Sequence, residues 1–412
     1  MRKATFAFVF LVVLLDMLAL GIIVPVLPQL VLDFEGGDAS SAAAVYGLFG
    51  AVWAAMQFFC APVLGALSDR YGRRPVILIS CLGLGLDYFL MALAPTLGWL
   101  FVGRIISGIT ASSFSTAYAY VADVTPESER AGKFGFLGAA FGIGFVVGPA
   151  LGGVLGEVAL RLPFWVAGSL SLAGALYGFF VLPESLPAER RAPFTLARAN
   201  PVAALGMLAA RSLLALAGVA FLYRLAHDAL PSLYVLYADY RYGWTENEVG
   251  LALALVGIAS MIVQAGLVGR VVARIGERNA LLLGLVFGTL SFTVYGFAPT
   301  GRVFLSGIAF GALFGFVYPS LQGLMTRRVH PDEQGRLQGA VASLMGIAGV
   351  TAPLLFTQTF SAAVGPYADL GVPGAPFLLA ALLLATAAVL ALSVEPSVAA
   401  SGEAAPARES LT

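Results

Sequence analysis

The chain has 412 residues, of which 59% are hydrophobic and only 11% charged. Soluble domains carry about a quarter charged residues, so a soluble surface is excluded and an all-α, multi-pass membrane protein is expected. The 23 basic and 23 acidic residues cancel, leaving no net field for nucleic acid, and the two cysteines, Cys60 and Cys81, sit in apolar runs that suit neither a disulfide framework nor a metal cluster.

A membrane-crossing helix needs about 20 mostly apolar residues, and twelve runs of that kind follow one another. Span one, 5–32, comes after Arg2 and Lys3 and carries Asp16 and Pro25. It is too long for the apolar core of a signal peptide and is read as retained. Span two, 42–67, holds Gln57 and leads into the loop GALSDRYGRRP, residues 65–75. Span three, 76–94, carries Asp87. Span four, 99–121, carries Arg104, with Asp123 just beyond it. Span five, 134–156, contains AFGIGFVVGPALGG, including Gly144, Gly148 and Pro149. Span six, 163–182, ends at a Pro- and Arg-rich linker, 183–211. Span seven, 212–238, holds Arg224, His227 and Asp228. Spans eight to twelve are 249–269, 280–298, 303–325, 337–360 and 375–394, and the tail 397–412 reads as disordered.

Basic residues set the orientation. Arg161, Arg241 and Arg302 fall in the outer loops, while Arg104 and Arg224 lie within spans; these five taken from 23 leave 18 on the inner side. Such a bias places both termini in the cytoplasm, in a cell (inner) membrane.

The halves repeat at an offset of 204. Ala-Pro-Thr at 94–96 recurs at 298–300, and the same step carries Gly65 to Gly269, Arg70 to Arg274, Gly72 to Gly276, Arg74 to Arg278 and Pro149 to Pro353. Two six-helix bundles are expected, 1–182 and 212–396, related by an axis along the membrane normal with a site between them. The second copy of the loop has Ala273 in place of Asp69 and Glu277 in place of Arg73, so the loops are expected to latch asymmetrically.

Physical chemistry suggests roles for several of these residues. Asp69 suits a helix N-terminus across the half-to-half interface, where the macrodipole favours an anion. Arg70, Arg73 and Arg74 can pair with Asp123, forming a charge cluster that closes the inner side and must break for it to open; alternatively, they only set topology. Gly144, Gly148 and Pro149 allow close helix approach and a bend, for gating or plain packing. Asp16 and Asp87 each lie about eleven residues into their runs, roughly 17 Å deep by helical rise, at one level near the midplane. Charges there are costly and mark a pathway: each acid can exchange a proton, or else hold a fixed buried hydrogen bond. Arg104 can act on a nearby acid or snorkel. Arg224 shares a helix face with His227 and Asp228, so Asp228 faces a choice between attracting a cation and pairing internally with Arg224.

The 65–75 loop, a Gly, an Asp-Arg and a Gly before paired basic residues, resembles the signature loop of the major facilitator superfamily. With the Gly-rich stretch at 140–153 the chain resembles the drug-exporting proton-antiporter branch, and in particular the tetracycline–proton antiporters. LDMLALGIIVPVLP, YGLFGAVWAAMQFFCAP and LGLDYFLMALAP carry the likeness through spans one to three. The resemblance implies export of a small amphipathic compound against protons by a monomer in the lipid bilayer, with no cofactor, metal or nucleic acid and no enzyme activity. It assigns proton coupling to Asp16, Asp87 and Arg104, gating to Gly65, Asp69, Arg70, Gly72, Arg73, Arg74, Asp123, Gly144, Gly148 and Pro149, and a polar cavity position to Gln57. Two positions depart from that family: Ser260 stands where it has a His and Gly288 where it has an Asp. Arg224, His227 and Asp228 are therefore the candidates for cavity chemistry in the second half.

A proton-coupled uptake symporter is the competing transport class, and an intramembrane aspartyl protease built on Asp16 and Asp87 is the enzyme alternative. The protease explains neither the repeat nor the loop. An ATP-driven pump would need GxxxxGK[ST], which is absent from the sequence.

Overall fold

A computed structural model describes residues 6–111, 113–191, 200, 202, 205–330 and 333–394. The described residues form helices and connecting turns with no strand. Among the described residues, twelve helices are long and apolar enough to cross a membrane: Phe6–Phe34, Ala39–Tyr71, Arg73–Leu93, Leu97–Val124, Gly132–Val158, Leu162–Val181, Arg211–Tyr242, Glu246–Gly266, Val268–Phe297, Gly301–Thr326, Gln334–Val364 and Ala375–Leu392. Each corresponds to one apolar run, and most extend beyond it, because the backbone ladder continues into polar residues outside hydrocarbon. Part of the linker (192–199, 201, 203 and 204) and the whole 397–412 tail lie outside the described residues.

Besides the positive-φ Gly276 within Val268–Phe297, four spans are interrupted, and these four interruptions obey the repeat. Span one breaks between Ile23 and Leu27, and span seven breaks at Asp228, between Arg211–His227 and Ala229–Tyr242. Span four stops at Ala111, and span ten tightens into a 3₁₀ turn at Phe314–Phe316. Val24 and Asp228 are 204 apart, as are Ala111 and Gly315. Pro25 and Pro28 explain the first break, since proline cannot donate to the helix ladder. Loosened backbone is tolerated in a membrane only where protein or a cavity surrounds it, so these breaks mark spans that face the interior.

The halves meet along two antiparallel seams. Span two runs against span eleven: the Ser40 hydroxyl donates to the Ser361 carbonyl at 2.9 Å, and a Cβ on Gly47 would strike Thr357, on Gly50 Pro353, and on Gly346 Phe58. Span five runs against span eight, where a Cβ on Gly153 would strike Glu246, on Gly250 the Pro149 carbonyl, and on Gly257 Val146. Lipid is as apolar as leucine, so helix association relies on close packing of small residues. Pro149 and Pro353, related by the repeat, each sit on one seam.

Both seams lie toward the end where span two begins. At the other end, which carries the 65–75 loop and is called the loop end below, a Cβ on Gly65, Gly138, Gly266 or Gly335 would meet nothing within 4 Å. The two halves diverge there.

Candidate functional site: a polar cavity in the second half

The loop network differs from the one expected. Arg73 pairs with Asp69 in its own turn and with Asp123 of span four, at 3.1 Å through Nε. Arg70 lies over the Tyr71 ring, and Arg74 donates to the Phe179 carbonyl near the end of span six, so neither joins Asp123. The carboxylate found at a helix N-terminus is Glu184, at the start of the linker, rather than Asp69. It accepts from the backbone N–H groups of Arg73 and Arg74 at 2.8 and 3.2 Å, and from those of Ser185 and Leu186. An anion so placed gains about 0.3–2 kcal/mol from the helix terminus. Gly72 makes room for it: its φ is +108°, and a Cβ there would lie 2.2 Å from Glu184 Oε2. The Ser185 hydroxyl donates to Asp123 at 2.9 Å, and the Tyr120 hydroxyl donates to the Pro183 carbonyl at 3.0 Å. All these contacts stay within the first half and its linker, because the halves stand apart at the loop end. Gly65 lies on that open flank.

The second loop is more than a degraded copy. Glu277 pairs with Arg327 at 2.9 Å. Glu277 is 204 residues from Arg73, and Arg327 is 204 from Asp123. The same cross-link therefore recurs with its polarity reversed. Gly276 keeps the positive φ of Gly72, and Arg278 donates to the Leu392 and Val394 carbonyls at 2.9 Å as Arg74 does to span six.

Gly144 and Gly148 face span one within the first half: added Cβ atoms would strike Met17 and Gly21. Pro149 and Gly153 are instead presented to span eight, as is Val146.

Asp16 is 3% exposed and within electrostatic reach of Cys81 and Tyr88 of span three. Asp87 is fully buried, and the Arg104 guanidinium lies 3.6 Å from its Oδ2. That separation makes the pair Coulombic rather than hydrogen-bonded. Arg104 thus turns inward and does not snorkel. Span three begins at Arg73, so Asp87 is fourteen residues from its loop end and six from its other end. It sits about 9 Å from that far end by helical rise.

Gln57 donates to the Ala111 carbonyl at 3.4 Å, where the span-four helix breaks, instead of lining the polar cavity of the second half. That cavity, about 440 Å³, lies among spans seven, eight, ten and eleven. Arg224, His227 and Ser260 line its deep part, while Gln264, Gln322 and Gln338 lie nearer the helix ends at the loop side. Asp228 pairs with Arg224 Nε at 2.9 Å and lies 3.3 Å from His227 Nδ1. The internal pairing is the one that forms. The Gly288 position, an acid in the resembling family, is filled from outside: a Cβ there would lie 2.5 Å from the Phe314 ring. Phe314 in turn packs against Tyr223, centroids 5.1 Å apart.

Sequence reasoning missed Glu184, the glutamines and Phe314. The Arg327 partnership was within reach, because adding the repeat offset to Asp123 lands on it.

The Major Facilitator Superfamily model matches residues 9–353 and again 216–410. The class C tetracycline resistance protein of Escherichia coli is 39% identical over 356 residues, covering 86% of this chain and 89% of that protein. Among solved structures, the human organic anion transporter MFSD10 (TETRAN) is 26% identical with a TM-score of 0.69, covering 94% of this chain and 98% of that one. The nucleoside transporter NupG, at 14% identity and a TM-score of 0.76 over 94% of this chain and 98% of its own, shares the fold. The chain belongs to the major facilitator superfamily, with the tetracycline resistance proteins among its relatives.

Proposed function

We propose that the chain is a proton-coupled efflux transporter of a hydrophobic or amphipathic drug, with both termini cytoplasmic in the inner membrane and a single chain as the working unit. The observation that carries this reading is a buried acid facing a guanidinium in the first half, Asp87 with Arg104, together with a polar cavity among the spans of the second. Arg104 competes with a proton for the Asp87 carboxylate. Protonation of Asp87 frees Arg104, and re-forming the pair expels the proton. Asp16, buried in span one, is the second proton-holding group. The bundles 1–182 and 212–396 rock about the two seams, joined by 183–211. The 65–75 loop with Asp123 holds the first half's inner ends in one arrangement, and Pro149 bends span five at the seam. Arg224, His227 and Asp228 contact cargo or hold the groups that do, and Gln57 steadies the span-four break.

The test is a drug panel that includes tetracycline, assayed in proteoliposomes with and without an imposed pH gradient. Gradient-driven transport of at least one compound is expected, and Asp87→Asn should abolish it while cargo exchange without a gradient persists. Transport indifferent to the gradient, or an Asp87→Asn variant that couples like wild type, would remove the proton from the mechanism.

A further inference from the structure

The ionisable groups of the second-half cavity present their bases and hide their acid. The acids Asp16, Asp87 and Asp228 are all buried. The bases at the cavity are open: the side chains of Arg224 and His227 are 40% and 47% exposed. No carboxylate lines the cavity among the described residues. Asp228 is engaged on both oxygens, Oδ2 by Arg224 Nε and Oδ1 by His227 Nδ1.

We infer that this cavity selects an organic anion, an aromatic amphiphile bearing a carboxylate or similar oxyanion; this rests on reading the cavity as the cargo site. The Arg224 guanidinium is planar, and its bond to Asp228 uses Nε, leaving a terminal amino edge for a second oxyanion. A ligand can reach Arg224 because its side chain is 40% exposed and lines the cavity. A two-point, charge-assisted contact there fixes both charge and orientation. The Phe314 ring, 6.2 Å from that of His227, and the Tyr223 and Tyr318 rings offer flat apolar faces for an aromatic body. Those faces can also attract a cation, but an open guanidinium beside them opposes it and no free carboxylate offsets the repulsion. Charge movement follows from the sign: expelling a monoanion against a given number of protons carries one more positive charge inward than expelling a neutral compound. Export would then draw more strongly on membrane potential than export of a neutral compound does.

Two xanthene dyes of similar shape and opposite charge provide the test. Fluorescein and rhodamine 123 are titrated against the purified full chain in detergent at one alkaline pH, with polarisation as readout. Fluorescein should bind at least about tenfold more tightly, the scale expected of one charge-assisted contact. Arg224→Gln should erase that preference. Because this variant strands a buried Asp228, the double variant Arg224→Gln/Asp228→Asn, which leaves neither charge alone, is measured beside it, with gel filtration to establish folding. It should show the same loss. Tighter binding of rhodamine 123, equal or absent binding of both dyes, or an anion preference surviving in the folded double variant overturns the inference. No gradient enters this measurement, so a failure of proton coupling would leave the dye preference standing and be recognised separately.

Discussion

In the first half Asp16 and Asp87 are sealed and Arg104 is turned onto Asp87, whereas in the second half Arg224 and His227 stand open to a cavity with Asp228 held behind them. The frames match: the same four interrupted spans, the same seam prolines, the same positive-φ glycine after spans two and eight. Duplication therefore supplied a scaffold, and the polar chemistry was divided between its copies. The loops make the same point on a smaller scale. Arg73 with Asp123 and Glu277 with Arg327 are one cross-link written in opposite polarity, but only the first is tied to the linker through Glu184 and Ser185.

The largest effect is expected at the first cross-link. Arg73→Glu places a carboxylate beside Asp69 and Asp123, and transport should fall to background with the protein still in the membrane. The double swap Arg73→Glu/Asp123→Arg adopts the polarity already used by Glu277 and Arg327, and drug efflux in cells should partly return. A double variant no better than the single one would break the equivalence of the two loops.

An intermediate effect is expected at Glu184, where the halves differ. Glu184→Gln keeps the shape but removes the charge at the span-three terminus, costing about 1 kcal/mol and slowing transport severalfold. Thermal unfolding in detergent and initial efflux rates read the two consequences. Wild-type behaviour in both would reduce the linker contact to incidental packing.

Arg327→Gln should matter least. Its side chain is 62% exposed, and exposed pairs contribute at most about 1 kcal/mol, so efflux should stay near wild type. A loss as deep as that of Arg73→Glu would make the second loop an equal partner.

Much of this arrangement can be read from the chain alone. Hydrocarbon thickness sets a minimum length and an apolar composition for each crossing, a local requirement visible in every run from span one to span twelve. The 204-residue step is also local information, and it carries over to features that no propensity predicts, such as the break at Asp228 opposite the one at Val24. Asp16, Asp87 and Arg104 stand out because ionisable groups are costly at such depths.

What the chain could not specify is which charge meets which. Asp69 and Glu184 are both acids near the loop, separated by four spans, and sequence spacing cannot say which reaches the start of span three; packing placed Glu184 there through the room left at Gly72. In the same way, only the fold turned Arg104 inward, closed Asp228 against Arg224, and filled the Gly288 position with Phe314. The bilayer acts on each helix separately and so leaves its signature in each segment. Partnerships between helices depend on shape and distance across the bundle, where lipid gives no hydrophobic drive and small differences in packing decide.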